Sequence, residues 1–166
     1  MSFRVDRSVG ISLGLGLLAF ALDRVHKFVA LEIVHMPENT FAPVTNFFDY
    51  GLVMNSGISY GLLSTLPVPL LGVIAAIAII ALGIWWVRTN SAIVRSGLAL
   101  CIGGALSNAL DRWIYGAVAD FFHFYWQQYS FYIFNIADTA ITLGVVLLLL
   151  DVLGVGRRKP ESAKAA

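Results

Sequence analysis

Residues 134–155 read FNIADTAITLGVVLLLLDVLGV, an apolar run with Asp138 near its start. About 20 helical residues cross the ~30 Å hydrocarbon core of a bilayer, so this run predicts a membrane-spanning helix. Asn135 is suited to cap the helix, because its side chain can accept a hydrogen bond from a free N–H of the first turn. Asp138 then occupies the third helical position, where the helix dipole favours a charged carboxylate. A carboxylate beside lipid is costly to keep charged, which indicates a functional role.

The composition of the whole chain is that of an integral membrane protein. Of its 166 residues 58% are hydrophobic and only 13% are charged, whereas a soluble domain has about 25% charged residues. Four apolar runs predict four spans, at residues 9–31, 66–87, 92–110 and 136–155, within a single domain of residues 1–155. We expect residues 156–166 to form a disordered cytoplasmic tail. The net charge of +1 comes with scattered basic residues, which argues against a nucleic acid partner.

The basic residues predict the direction of the spans. With the N-terminus in the cytoplasm, eight of the 11 lysines and arginines lie on the cytoplasmic side, as the positive-inside rule expects. The other three have acidic neighbours, and we expect Asp23 to pair with Arg24 and Lys27, and Asp111 with Arg112.

An alternative interpretation treats the N-terminus as a cleaved secretory signal, with Ala19-Phe20-Ala21 as the cleavage site. The helical period of the apolar residues from Val25 to Leu31 favours a retained span instead.

The predicted orientation brings polar residues of three spans to the outer side of the membrane. They are Asp23 and Lys27 in the first span, Asn108, Asp111 and Arg112 in the third, and Asn135 and Asp138 in the fourth. Within each of the first two groups the spacing of three or four residues places the side chains on one helix face. The sequence therefore predicts a single polar site in the outer leaflet.

Asp120 lies between the third and fourth spans and is the natural partner of Asp138. Two adjacent carboxylates in different environments can share one proton and hydrolyse a bond.

Residues 115–134 around Asp120 are dense in aromatic side chains, which is typical of an interfacial belt. A sharper hypothesis is that they form an amphipathic outer loop or helix that covers the site as a lid. Glycines and partial alternation in residues 35–63 predict a small extracytoplasmic β-rich element. The predicted fold class is thus an all-α membrane protein with four transmembrane helices and these two outer elements.

Five short motifs follow one another along these segments. They are Asp23 with Lys27, then Asn55-x-Gly57 followed by Ser59-Tyr60-Gly61, then Gly103-Gly104-Ala105-Leu106-Ser107-Asn108-x-x-Asp111-Arg112, then Gly116-x-Val118-x-Asp120-Phe121, and finally Phe134-Asn135-x-Ala137-Asp138. Together they resemble the motifs of the lipoprotein signal peptidases, also called signal peptidase II. The chain departs from that family at Ser107, His26 and Tyr60, where Gly, Ser or Thr, and Phe are usual.

The resemblance implies a membrane aspartic endopeptidase that removes the signal peptide from diacylglyceryl-modified prolipoproteins, cutting N-terminal to the lipidated cysteine. It implies Asp120 and Asp138 as catalytic residues. It implies that the substrate-binding or site-supporting residues are Asp23, Lys27, Asn55, Gly57, Asn108, Asp111, Arg112, Asn135 and Ala137. It also implies no cofactor and no metal, with membrane lipid and cyclic peptide inhibitors of the globomycin type as further partners. The expected location is the bacterial inner membrane, with both termini cytoplasmic and the active site near the outer leaflet.

Two other classes of protein also contain acidic pairs in apolar segments. A small proton-coupled transporter could relay protons through them, but the chain lacks the internal repeats that secondary transporters often show. A non-enzymatic membrane scaffold would leave the two carboxylates unexplained. The lone Cys101 has no candidate base beside it, so we expect a buried small residue and no nucleophile.

Overall fold

The computed structural model describes residues 7–57 and 67–154. The helices are α1 (Arg7–Phe28), extended by a π-helical turn (Val29–Ile33), α2 (Val68–Arg88), α3 (Ala92–Tyr115) and α4 (Ile136–Val152). The strands are β1 (Thr40–Thr45), β2 (Phe48–Asn55), β3 (Val118–Trp126) and β4 (Tyr129–Ser130). The predicted tail at residues 156–166 and the motif at residues 59–61 lie outside the described residues.

Three helical segments in the described ranges are long and apolar enough to cross a membrane, namely Arg7–Ile33, Pro69–Arg88 and Ala92–Tyr115. Helix α4 has 17 residues and is equally rich in aliphatic side chains. The outward faces of the helices expose large apolar side chains, including Leu17, Ile77 and Leu149. Such faces fit contact with lipid, since a water-soluble bundle would turn them inward.

Helix α3 is the central helix of the bundle and packs against α1, α2 and α4. Small residues allow this close approach. A Cβ atom added at Gly97 would lie 2.8 Å from the carbonyl oxygen of Gly144 in α4, and one at Gly103 would collide with Gly16 in α1. These glycines therefore permit close helix packing, and polar side chains near the end of α3 come within reach of both neighbouring helices.

The four strands form one antiparallel sheet in the order β1-β2-β3-β4. The predicted β-rich element is confirmed, because β1 and β2 both lie within residues 35–63. The all-α class and the amphipathic outer loop or helix at residues 115–134 are wrong, because most of those residues form β3 and β4. Aromatic and β-branched residues favour a pleated sheet, and β2 supplies the hydrogen-bonding partner that β3 needs.

A small apolar core packs the sheet against the end of α1. It consists of Ala30, Leu52, Ala119 and Phe121, each no more than 3% exposed. Two of its members, Ala119 and Phe121, flank Asp120 in β3. The core therefore fixes the strand segment that carries Asp120 relative to the first helix.

Candidate active site

Asp120 is held by one amide side chain at each of its carboxylate oxygens. It is 2% exposed and lies opposite Val53 in the β2–β3 pairing. Its Oδ1 accepts a hydrogen bond of 2.7 Å from Asn135 Nδ2, and its Oδ2 accepts one of 3.0 Å from Asn55 Nδ2. The two donors belong to different elements, the start of α4 and the end of β2, so together they fix the plane of the carboxyl group.

Asp138 lies in the first turn of α4, and the predicted cap of that helix is confirmed. Asn135 Oδ1 accepts a hydrogen bond of 2.9 Å from the backbone N–H of Asp138. Asp138 Oδ2 accepts one of 3.3 Å from the backbone N–H of Asn135, which completes a reciprocal capping box. Asp138 Oδ1 accepts a further hydrogen bond of 2.8 Å from Asn108 Nδ2 in α3. Asn135 thus contacts both candidate carboxylates, that of Asp120 through its side chain and that of Asp138 through its backbone N–H.

Asp120 and Asp138 line the same cavity, which has a volume of about 200 Å³. Its other polar walls are the side chains of Asn55, Asn108 and Arg112. Its apolar walls include Ala75, Ala105 and Ile141 from α2, α3 and α4. A neighbouring cavity of about 420 Å³ shares Asn55, Asp120, Tyr132 and Ile133 with the first. A substrate that filled both would meet Asp120 at their junction and Asp138 within the first cavity.

The environment of Asp120 favours its protonated form. Burial is the largest cause and the nearby Asp138 carboxylate is the second, and together they raise the pKa of Asp120 from 3.8 to about 7. The hydrogen bonds from Asn55 and Asn135 and the positive charge of Lys27 act in the opposite direction. Near neutral pH this carboxyl group therefore has a proton to donate in a large fraction of molecules.

A fully buried ion cluster lies behind the two carboxylates. Lys27 Nζ is 2.7 Å from Asp23 Oδ2 and 2.5 Å from Asp111 Oδ2, and all three side chains are inaccessible to solvent. Lys27 also donates a hydrogen bond of 3.0 Å to Asn108 Oδ1. Since Asn108 in turn donates to Asp138, the cluster connects directly to the candidate site.

Two of the predicted ion pairs differ from those in the structure. Arg24 pairs with Asp111 and not with Asp23. Arg112 donates to backbone carbonyl oxygens, that of Gly57 at 2.9 Å and that of Asn108 at 3.4 Å. Nearness in sequence did not predict these two pairs correctly, because α1 and α3 pack side by side. A charged side chain can then pair with one on the facing helix instead of with a neighbour on its own helix.

The remaining predicted site residues contribute through their backbones. The N–H of Gly57 donates a hydrogen bond of 3.0 Å to Asn55 Oδ1, which orients the Asn55 amide toward Asp120. The N–H of Ala137 donates one of 2.9 Å to Asp23 Oδ1. The structure thereby brings all the predicted site residues into one connected network.

Sequence reasoning missed several participants. Ser107 donates a hydrogen bond of 2.6 Å to Asp23 Oδ2. Its position four residues before Asp111 is a signal for this role, because that spacing places both on one helix face. Tyr132 and Ile133 line the cavity but carry no pattern in the sequence that distinguishes them from the other aromatic and aliphatic residues nearby.

Comparison with known proteins gives consistent results. The family described as signal peptidase (SPase) II matches residues 15–154. A lipoprotein signal peptidase of Rhodopseudomonas palustris (strain TIE-1) is 44% identical over 143 residues, which cover 82% of this chain and 87% of that protein. A lipoprotein signal peptidase of Acinetobacter baylyi is 36% identical over 163 residues, covering 93% and 88%. A solved structure of a bacterial membrane enzyme has a TM-score of 0.81 at 28% identity and covers 94% of this chain and 95% of its own.

These relatives favour neither the transporter nor the scaffold. They agree with one another on one kind of enzyme, and they match most of the described chain. The chain therefore belongs to the signal peptidase II family of lipoprotein signal peptidases.

Proposed function

We propose that the protein removes the signal peptide from prolipoproteins whose lipobox cysteine carries diacylglycerol, and that it cuts on the N-terminal side of this cysteine by an aspartic mechanism. The observation that carries the proposal is the shared cavity, in which Asp120 and Asp138 face one space and each is oriented by two hydrogen bonds. Membership of a peptidase family supplies the reaction class, and the two carboxylates supply groups able to perform it.

The chemistry assigns the two carboxylates different roles. Asp138 is the general base, which takes a proton from a water molecule held between the two side chains. Asp120, whose pKa is raised to about 7, is the general acid, which donates its proton to the scissile carbonyl as the water oxygen attacks. As the C–N bond breaks, Asp138 gives its proton to the leaving amine and Asp120 takes back the proton of the hydroxyl formed from the carbonyl oxygen, so that the pair ends with the single proton with which it began.

Several neighbours would position the substrate. Arg112 lines the cavity, and its buried Nε has no hydrogen-bond partner within residues 7–57 and 67–154. A buried donor without a partner is costly, so this N–H is available for a carbonyl oxygen of the substrate. Asn55, Asn108 and Asn135 hold the carboxylates, while the cluster of Asp23, Lys27 and Asp111 supports them from behind.

The apolar side of the cavity fits a lipidated substrate. Ala75, Ala105 and Ile141 extend the wall from the carboxylates into the helix bundle, where acyl chains would remain in contact with membrane lipid. Cyclic peptides of the globomycin type would occupy the same space, a proposal that rests on the family resemblance. Both ligands would be expected to compete with each other.

For the membrane arrangement we propose four spans, with α4 as the fourth. Its 17 residues at ~1.5 Å each extend roughly 26 Å, close to the thickness of a hydrocarbon core. The distribution of lysine and arginine supports cytoplasmic termini. In the bacterial inner membrane this orientation places the carboxylates near the outer leaflet, where prolipoproteins present their lipidated cysteine.

The test is a mobility shift of a purified diacylglyceryl prolipoprotein incubated with the purified protein in detergent, without ions or a gradient. The expected product begins at the lipidated cysteine, as mass spectrometry would show. A matched precursor without diacylglycerol is the control and is expected to remain intact. Failure of the folded protein to cut the lipidated precursor, or equal cutting of both precursors, would contradict the proposal.

A further inference from the structure

His26 connects α1 to the part of the sheet directly behind Asp120. Its Nε2 lies 2.9 Å from Oη of Tyr50 in β2. Its ring meets the ring of Phe121 edge-on, with centroids 4.6 Å apart, and stacks against Phe122 at 5.4 Å. Phe121 is fully buried and directly follows Asp120 in β3. A side chain of the first helix thus contacts the strand segment that carries the candidate acid.

The hydrogen bonding of His26 indicates which ring nitrogen carries the proton. The buried Nδ1 has no hydrogen-bond partner in the part of the chain that the structure describes. A proton on Nδ1 would be an unsatisfied buried donor, whereas a proton on Nε2 is donated to the hydroxyl of Tyr50. The tautomer with its proton on Nε2 therefore fits the site, and His26 is the donor to Tyr50.

Tyr50 stands where strand β2 is irregular. The register of β2 against β3 shifts between Tyr50 and Val53, and Val53 is the residue paired with Asp120. A bulge leaves residues without ladder hydrogen bonds and bends the strand, so its position depends on side-chain contacts. The ring of Tyr50 also lies nearly parallel to that of Phe121, at 18° and 6.1 Å.

We propose that His26 and Tyr50 are positioning residues, whose hydrogen bond fixes the bulge in β2 together with Phe121 and thereby sets the position of the Asp120 carboxyl group in the cavity. The inference rests on the proposed function and deepens it. The pair acts through Phe121 and does not touch the substrate.

Three single variants test the hydrogen bond. Tyr50→Phe keeps the ring against Phe121 and removes only the hydroxyl. His26→Asn removes the donor at Nε2, whereas His26→Gln places an amide N–H close to the Nε2 position and is the conservative rescue. The double variant His26→Asn with Tyr50→Phe shows whether the two residues act as one unit.

The first measurement is kinetic, on the lipidated precursor. We expect His26→Asn and Tyr50→Phe each to lower kcat roughly tenfold with KM nearly unchanged, because misplacing a reacting group by a fraction of an ångström weakens the chemical step more than binding. The double variant should lose no more than either single variant, and His26→Gln should retain most of the activity. Unchanged kcat in both folded single variants, or an equal loss in His26→Gln and His26→Asn, would overturn the proposal.

The second measurement does not need turnover. Infrared difference spectra follow the Asp120 carboxyl band, identified by its absence in Asp120→Asn. A loosened Asp120 gains contact with water, and the groups that face it stay the same, namely Asp138, Lys27, Arg112, Asn55 and Asn135. The pH at which its carboxyl group is half-protonated should therefore fall in His26→Asn and recover in His26→Gln. An unmoved midpoint would contradict the positioning role even if the wild-type protein cut no precursor, and absence of cleavage with a shifted midpoint would contradict only the proposed function.

Discussion

Asp111 Oδ2 accepts a hydrogen bond of 3.3 Å from the backbone N–H of Ala119, the residue directly before Asp120. Asp23 Oδ1 has the same relation, at 2.9 Å, to Ala137, the residue directly before Asp138. The ammonium group of Lys27 binds Oδ2 of Asp23 and Oδ2 of Asp111. One buried lysine therefore joins the two supports on which the candidate catalytic residues depend.

The first prediction concerns this lysine. Lys27→Met should lower the free energy of unfolding by about 3–5 kcal/mol, because it leaves buried carboxylates without their shared cation. Unfolding in detergent, followed by tryptophan fluorescence, measures the change. Arg24→Gln is the matched control and should lose less, since the Arg24 side chain is 18% exposed. Wild-type stability in Lys27→Met would contradict the interpretation.

The second prediction concerns the pair of carboxylates. Asp120→Asn and Asp138→Asn should each reduce turnover by at least ~10²–10⁴-fold, because an amide of nearly the same shape cannot transfer the proton. The gel assay with lipidated precursor measures this loss, and thermal unfolding checks that the variants fold. Asp49→Asn is the matched control, since Asp49 faces His123 away from the cavity. Normal turnover in either test variant would exclude that residue from catalysis.

Features that depend on neighbours in sequence were predictable. Asn135 caps α4, and the Lys27–Asp23 pair forms across one helical turn, because both interactions involve residues three or four positions apart. Helix packing could be inferred from the glycines of α3 for a related reason, since a missing side chain is visible in the sequence itself. Each of these inferences needed no knowledge of which segments meet.

Features that depend on distant partners were not predictable. Strand β3 exists because β2, some 70 residues earlier in the chain, offers it a hydrogen-bonding edge: Met54 pairs with Ala119 and Asn55 with Val118. The aromatic residues of β3 fit a membrane interface equally well, so composition alone could not distinguish a strand from an interfacial loop or helix. The Arg24–Asp111 pair arises in the same way, from the packing of two helices that the sequence lists far apart.

The third prediction is a dependence on pH. In the proposed mechanism Asp120 is the acid and must be protonated, and its pKa is raised to about 7, so kcat/KM should fall as the pH rises through about 7. In the unfolded chain its pKa returns to 3.8, so the folded state binds the extra proton between these values and its stability should decrease from about pH 4 to pH 7.

The variant Asp120→Asn separates the contribution of Asp120 to this pH dependence of stability from the contributions of other titratable groups. In that variant the decrease of the unfolding free energy between these pH values should become smaller, as measured by denaturation at several pH values. If kcat/KM falls at one pH while the Asp120 carboxyl group is shown to lose its proton at a different pH, Asp120 is not the acid.

The fourth prediction concerns the membrane orientation. In a Cys101→Ala background, a single cysteine at Glu38 should react with a membrane-impermeant maleimide from the outer side, and one at Asn90 only from the cytoplasmic side. Both positions are exposed in loops at opposite ends of the bundle. Cys101 itself is buried, with Sγ 3.6 Å from the carbonyl oxygen of Ile141, so its replacement should leave cleavage intact. Labelling of Asn90→Cys from outside would reverse the proposed topology.

The hydrogen bond between Asp23 and Ala137 joins positions 114 residues apart, and this separation has a consequence for biosynthesis. Chains emerge from the ribosome N-terminus first, so the first helix enters the membrane long before its partner in the last helix has been made. Asn135 and Asp138 arrive only with that last helix. Under the proposed mechanism, a newly made chain therefore cannot cut a substrate until its last helix has been made and has packed against the first.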